Sequence, residues 1–92
     1  MTVRESVIRA PLGLHARAAA RFVRLATGFS SRVSVSCGGR TMDGKSIMGV
    51  LLLSAGAGAS IEISADGADE AEAVASLCLL VASGCGEESW TV

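Results

Sequence analysis

Tyrosine is absent from the 92-residue chain, and one tryptophan and two phenylalanines are its only aromatic residues. With a formal net charge of -1, it offers neither a basic footprint for phosphate backbones nor a platform for stacking bases, so nucleic acid is not an expected partner. No apolar run reaches the roughly 18 residues of a membrane span. The opening MTVRESV has no basic end followed by an apolar stretch, as a signal peptide would. A soluble cytoplasmic protein without membrane insertion is expected. Cys37, Cys78 and Cys85 are odd in number and lack C-x-x-C spacing, which argues against a disulfide framework or a zinc site. Proline is also scarce: Pro11 is the only one.

Half of the residues are hydrophobic, enough for one core in a chain of this size. Thr2 to Arg9 reads as a strand of modest clarity, with Val3 and Val7 on one side and Ile8 on the other; Pro11 and Gly13 then break it. A helical period follows His15. Ala19, Phe22, Val23 and Ala26 form an apolar stripe, Arg17, Arg21 and Arg24 a basic one, and Gly28 is placed to end the helix in the left-handed conformation. RVSVSC alternates Val33, Val35 and Cys37 against Ser34 and Ser36, and Gly38-Gly39 suits a hairpin turn that returns as the short strand RTM.

Ser46 is placed to cap a short helix in GKSIMGVLLL. Ile47, Met48, Val50, Leu51, Leu52 and Leu53 cover nearly its whole circumference. Either some of them form an exposed apolar patch, or the segment is a buried strand or an over-apolar core element. SAGAGAS then reads as a flexible small-residue loop, and SIEISA as a strand with Ile61, Ile63 and Ala65 inward. Asp69 and Glu72 have capping-box spacing at the head of a last helix, whose inward stripe is Val74, Leu77, Cys78 and Val81 and which Gly84 ends. CGEESWTV, residues 85–92, has no periodicity and reads as an irregular tail carrying Trp90. The order β-α-β-β-α-β-α predicts an α+β fold with the helices on one face of the sheet.

His15 is the only histidine, and it falls where a loop turns into a helix. As a bland reading it is a polar helix-start residue. As a functional one, the first turn offers N–H groups without intrahelical partners and the positive end of the macrodipole, together an anion site. An imidazole nitrogen there could carry a phosphoryl group received by the amides of Ala16 to Ala18 and by the forked guanidinium of Arg17. No Walker loop, Ser/His/Asp set, paired carboxylates or metal cluster lies nearby in sequence, so a complete enzyme site is not visible.

GLHARAAARFVRLATGF, GKSIMGVLLL and ISADGADEAEAV together resemble HPr, the histidine-containing phosphocarrier family of the phosphoenolpyruvate-dependent sugar phosphotransferase system. The likeness spans almost everything up to Gly84 and implies one HPr-like domain over residues 1–84. It also implies an open-faced β-sandwich, a four-stranded antiparallel sheet with three helices on one face. On this resemblance His15 corresponds to the histidine phosphorylated on Nδ1 by enzyme I, which draws on phosphoenolpyruvate. Arg17 corresponds to the arginine that helps pass the group to enzyme IIA domains. The protein is then a covalent carrier and not an enzyme. Magnesium belongs to enzyme I, so no metal or cofactor is expected. Where the family usually has proline in the first turn, this sequence has Ala18, which adds a possible phosphate donor and loosens the turn slightly.

Ser46 alone would be a helix cap. Within GKSIMGV it resembles the serine phosphorylated by HPr kinase/phosphorylase, so a regulatory phosphoserine is expected beside the phosphohistidine. Ile47, Met48 and Leu51 match positions that pack against partners, and Arg21 and Arg24 would add a basic rim suited to brief docking. A monomer suffices for such a carrier. Two other readings are a regulatory module governed chiefly by Ser46, against which as the sole role His15 and Arg17 argue, and a small-ligand sensor without phosphorylation, which leaves the helix-start histidine and the apolar patch as coincidences.

Overall fold

The computed structural model describes residues 1–85, so Trp90 and most of the expected tail lie outside the described residues. Strands β1 (Thr2–Val7), β2 (Arg32–Cys37), β3 (Arg40–Asp43) and β4 (Ser60–Asp66) and helices α1 (Ala16–Thr27), α2 (Ile47–Leu52) and α3 (Glu70–Ala82) follow one another in the order β1-α1-β2-β3-α2-β4-α3. The sheet runs β1-β4-β2-β3 and is antiparallel throughout. Alternation decides which face each strand buries. Val33 and Val35 of β2 pair near Ala65 and Ile63 of β4, and all four are buried beneath the helices together with Ile61. Ser34, Ser36 and Glu62 fall on the opposite, open face. At the turn, Gly38 and Gly39 have φ of 57° and 84°, both positive, as a two-residue hairpin of this kind requires.

The helices close the covered face. Phe22 and Ala26 of α1, Val50 of α2 and Leu77 and Val81 of α3 all belong to one hydrophobic cluster. The GKSIMGVLLL segment is a helix and not a strand, because Ser46 starts it: the Ser46 Oγ accepts from the Gly49 N–H at 3.1 Å. Its far end is closed by the Arg40 guanidinium, which donates to the Leu52 carbonyl at 3.0 Å.

Four local expectations are corrected. β1 ends at Val7, with Val3 and Val7 exposed; Ile8 is buried beyond the strand, paired with Ala59 through its backbone. Gly28 closes α1 in a right-handed conformation, φ -74°, so its role there is not a left-handed cap. Asp69 and Glu72 form no capping box, because the Asp69 side chain makes no hydrogen bond to its own helix. The SAGAGAS loop is pinned, not free-running. Ala55 O accepts from Leu14 N at 2.9 Å, Gly58 N donates to Ile8 O at 2.9 Å, and Ile8 N donates to Ala59 O at 2.8 Å.

Candidate functional site

His15 is the N-cap of α1, with extended backbone (φ -77°, ψ -177°). The ordinary cap is a short side-chain oxygen; here a ring nitrogen does the same work. His15 Nδ1 accepts a hydrogen bond from the Arg17 N–H at 3.3 Å. In a neutral imidazole the nitrogen that accepts carries the lone pair and the other carries the hydrogen, so the cap assigns the lone pair to Nδ1 and turns it toward the helix start. Ala19 N is the first to make the helical bond, to His15 O at 2.8 Å. The amides of Ala16, Arg17 and Ala18 therefore precede the intrahelical ladder and lie at the positive end of the helix. The first turn contains no acidic residue, so nothing of its own charge opposes an anion there.

The histidine is also held from the N-terminal side. Gly13 has φ 72°, and a Cβ at that position would lie 2.5 Å from the Ala55 carbonyl oxygen and 2.8 Å from the Gly56 Cα. Glycine is required twice here, for the left-handed backbone and for the close approach. The loop before His15 thereby rests on the segment that follows α2, joined to it by the Leu14–Ala55 hydrogen bond. Residues 41 positions apart in sequence thus set the height of the imidazole.

Ala16 and Arg17 are exposed, whereas the Ala18 side chain is wholly buried. The departure at Ala18 therefore places its methyl group in the core while its amide remains at the helix start. Arg24 is exposed, but Arg21 is half-buried and donates from Nη1 to the Cys85 carbonyl at 3.0 Å, tying α1 to the end of α3. On α2, Ile47 and Met48 are exposed, and Leu51 is half-buried against the core. Leu52 is exposed as well, and Leu12, three residues before His15, is 74% exposed. Leu52 belongs to the apolar circumference already read from the sequence, whereas the exposure of Leu12 was missed there. The signal for Leu12 was a large aliphatic residue between Pro11 and Gly13, outside any core period.

Among the described residues no cluster of three or more potential ligands could hold a metal ion, and no helix is long and apolar enough to cross a membrane. The cysteines are unpaired by disulfides. Burial pushes the Cys78 thiol above its ordinary pKa, partly opposed by Arg4, and such a thiol is a packing group more than a nucleophile.

Residues 2–83 match the family model described as "PTS HPr component phosphorylation site". The chain belongs to the HPr family of the phosphotransferase system. It is 47% identical over 87 residues to the phosphocarrier protein HPr of Cupriavidus necator, covering 95% of this chain and 98% of that one. Among solved structures, HPr-C-His from Thermoanaerobacter tengcongensis superposes with a TM-score of 0.91 at 40% identity, covering 95% of this chain and 98% of that one. A structure described as an HPr dimer from the same organism superposes at 0.72 with 42% identity, covering 83% and 87%. The family is one of phosphocarriers, and its open-faced sandwich is the fold found here.

Proposed function

We propose that the chain carries a phosphoryl group on His15 Nδ1, received from enzyme I at the expense of phosphoenolpyruvate and passed to enzyme IIA domains. The single observation that carries this reading is the ring-nitrogen cap: Nδ1 accepts from the Arg17 amide at the open start of α1, in a chain of the phosphocarrier family. In the acceptance step the donor's bond to phosphorus breaks as the Nδ1–P bond forms, and the phosphoryl group moves without any proton having to leave Nδ1. The Arg17 amide, displaced from Nδ1, turns to a phosphoryl oxygen. The Ala16 and Ala18 amides and the Arg17 guanidinium receive the other oxygens and offset their charge. Because this environment is held by backbone geometry, it exists before the phosphoryl group arrives. The partner enzymes supply the rest of the catalysis, which is why no second catalytic side chain is needed here. The reaction belongs to the cytoplasm, where the carrier works as a monomer without a metal or cofactor of its own.

Ser46 is the proposed second phosphorylation site, the substrate hydroxyl of HPr kinase/phosphorylase. A phosphate there adds close to two negative charges at the start of α2, where the helix tolerates them, and beside the exposed Ile47 and Met48. Its effect falls on docking of acidic partners and not on folding. Ile47, Met48 and Leu51 form the apolar centre of that docking surface, with Arg17, Arg21 and Arg24 at its edge.

Incubation with enzyme I, magnesium and labelled phosphoenolpyruvate should give one acid-labile, base-stable adduct. Absence of label, or label retained in His15→Ala, would sink the reading.

A further inference from the structure

The turn that leads into α2 is built from its own short side chains, with one exception. Asp43 Oδ1 accepts from the Lys45 N–H at 2.9 Å, and the Asp43 carbonyl accepts from the Ser46 N–H at 3.2 Å. Ser46 then caps the helix through Oγ. The Lys45 side chain leaves this turn altogether. Half-buried, it carries Nζ to the Phe29 carbonyl at 2.7 Å, two residues past the end of α1. A cation suits that place, because the carbonyls at a helix end lack intrahelical partners and form the negative end of the macrodipole. The end of α1 and the start of α2 are thus tied by an ammonium whose residue adjoins the Ser46 hydroxyl.

We propose that a phosphoryl group on Ser46 takes the Lys45 ammonium from the Phe29 carbonyl, and so unties α2 from the helix that His15 begins. The inference rests on the reading of Ser46 as a phosphorylation site. The competition is uneven. Against a carbonyl dipole, the phosphate sets close to two full charges and three acceptor oxygens on the adjoining residue. Lysine is a compact charge on a flexible stem, able to follow them. The Asp43 carboxylate, bonded to the Lys45 amide, adds a like charge to the same turn and raises the demand for a cation there. What is released is local: Ser30 and Ser31, which follow Phe29, stay bonded through their amides to Asp69, and the Phe29 side chain is packed against the core. The change falls on the tie that fixes the start of α2, with its exposed Ile47 and Met48, against α1. Phosphorylation then alters the geometry of the docking surface as well as its charge.

Phe22 and Phe29 are the only phenylalanines, so phenylalanine labelled with carbon-13 at the carbonyl gives two NMR signals in the full chain. Phe29 reports the bond in question, and Phe22, inside α1, serves as the reference. Phosphoserine is placed at position 46 by genetic encoding, which does not require the kinase. Failure of HPr kinase/phosphorylase to modify the unaltered protein would therefore count against the Ser46 reading and not against this one. Loss of a hydrogen bond moves a carbonyl carbon signal upfield. Lys45→Met should move the Phe29 signal upfield, and phosphoserine at 46 should move it most of that distance, with Phe22 in place. In Lys45→Met the phosphoserine should move it little further. A Phe29 signal unmoved by phosphoserine overturns the proposal, since the ammonium then keeps the carbonyl. So does a Phe29 signal unmoved by Lys45→Met, or a phosphoserine shift of the same size with and without Lys45. Movement of Phe22 alongside Phe29 also overturns it, as a general rearrangement of α1.

Discussion

The starts of α1 and α3 look alike in sequence, each with a polar residue before an apolar period, yet they are used in opposite ways. His15 turns its side chain onto its own helix and leaves a first turn without acidic residues. Asp69 turns its side chain away, accepting from the Ser30 N–H at 2.9 Å and from the Ser31 N–H and hydroxyl. Glu70 and Glu72 occupy the first turn of α3, and the Glu70 carboxylate accepts from the Gly67 N–H and the Thr2 hydroxyl. A helix start is thus an anion site only where the chain has not already supplied the anion. At α3 the positive end serves the fold; at α1 the first turn carries no acidic residue of its own, which suits the phosphoryl group proposed for it.

The sharpest way to break that contrast is to give α1 a first-turn carboxylate. Ala16→Glu, at an exposed position, should slow phosphoryl acceptance from enzyme I about tenfold, equivalent to ~1.4 kcal/mol. The helix itself should be stabilised by a few tenths of a kcal/mol. Ala16→Gln should retain most of the rate; equal slowing in both variants would remove charge as the cause. Ser46 provides a third start that resembles the first, since its hydroxyl accepts from its own helix at Gly49. Ser46→Ala should lower stability by about 1 kcal/mol in urea titrations while leaving the rate of His15 phosphorylation within twofold.

The smallest effect lies in acid. The Ser31 hydroxyl, followed by the Ser30 amide, holds the Asp69 carboxyl down at about 2. The Thr2 hydroxyl and the Met1 ammonium do the same for Glu70, also about 2. Both folded-state values lie below the ordinary carboxylate range near pH 4, so the folded form favours the ionised groups. Their contribution is complete above about pH 4 and is lost as pH falls toward 2. Urea midpoints should therefore decline across that window, less steeply in Asp69→Asn. An Asp69→Asn slope equal to that of the unaltered protein would assign the acid sensitivity elsewhere.

These helix starts also show what the sequence could disclose. The cap roles of His15 and Ser46 were legible because donor and acceptor lie two or three residues apart, and Val33, Val35, Ile61 and Ile63 declared their face by alternation. Asp69 suggested a capping box by the same local logic, but its partners are 38 and 39 residues away and carry no local signal. Arg21 read as one of three equivalent rim charges, yet its partner is 64 residues away at Cys85. The apolar circumference of α2 left patch and core undecided until packing sorted them: Val50 inward, Leu51 half-buried, Ile47, Met48 and Leu52 outward.

The pairing of the loop around Ile8 to Leu14 with Ala55 to Ala59 has a consequence for how such a protein can change. By composition, SAGAGAS is the place where an insertion would be tolerated. Its hydrogen bonds to Ile8 and Leu14 and its closeness to Gly13 make it a splint for the histidine instead. A residue more or fewer there should shift those contacts and with them the imidazole, so the length of an unremarkable loop bears on where His15 sits.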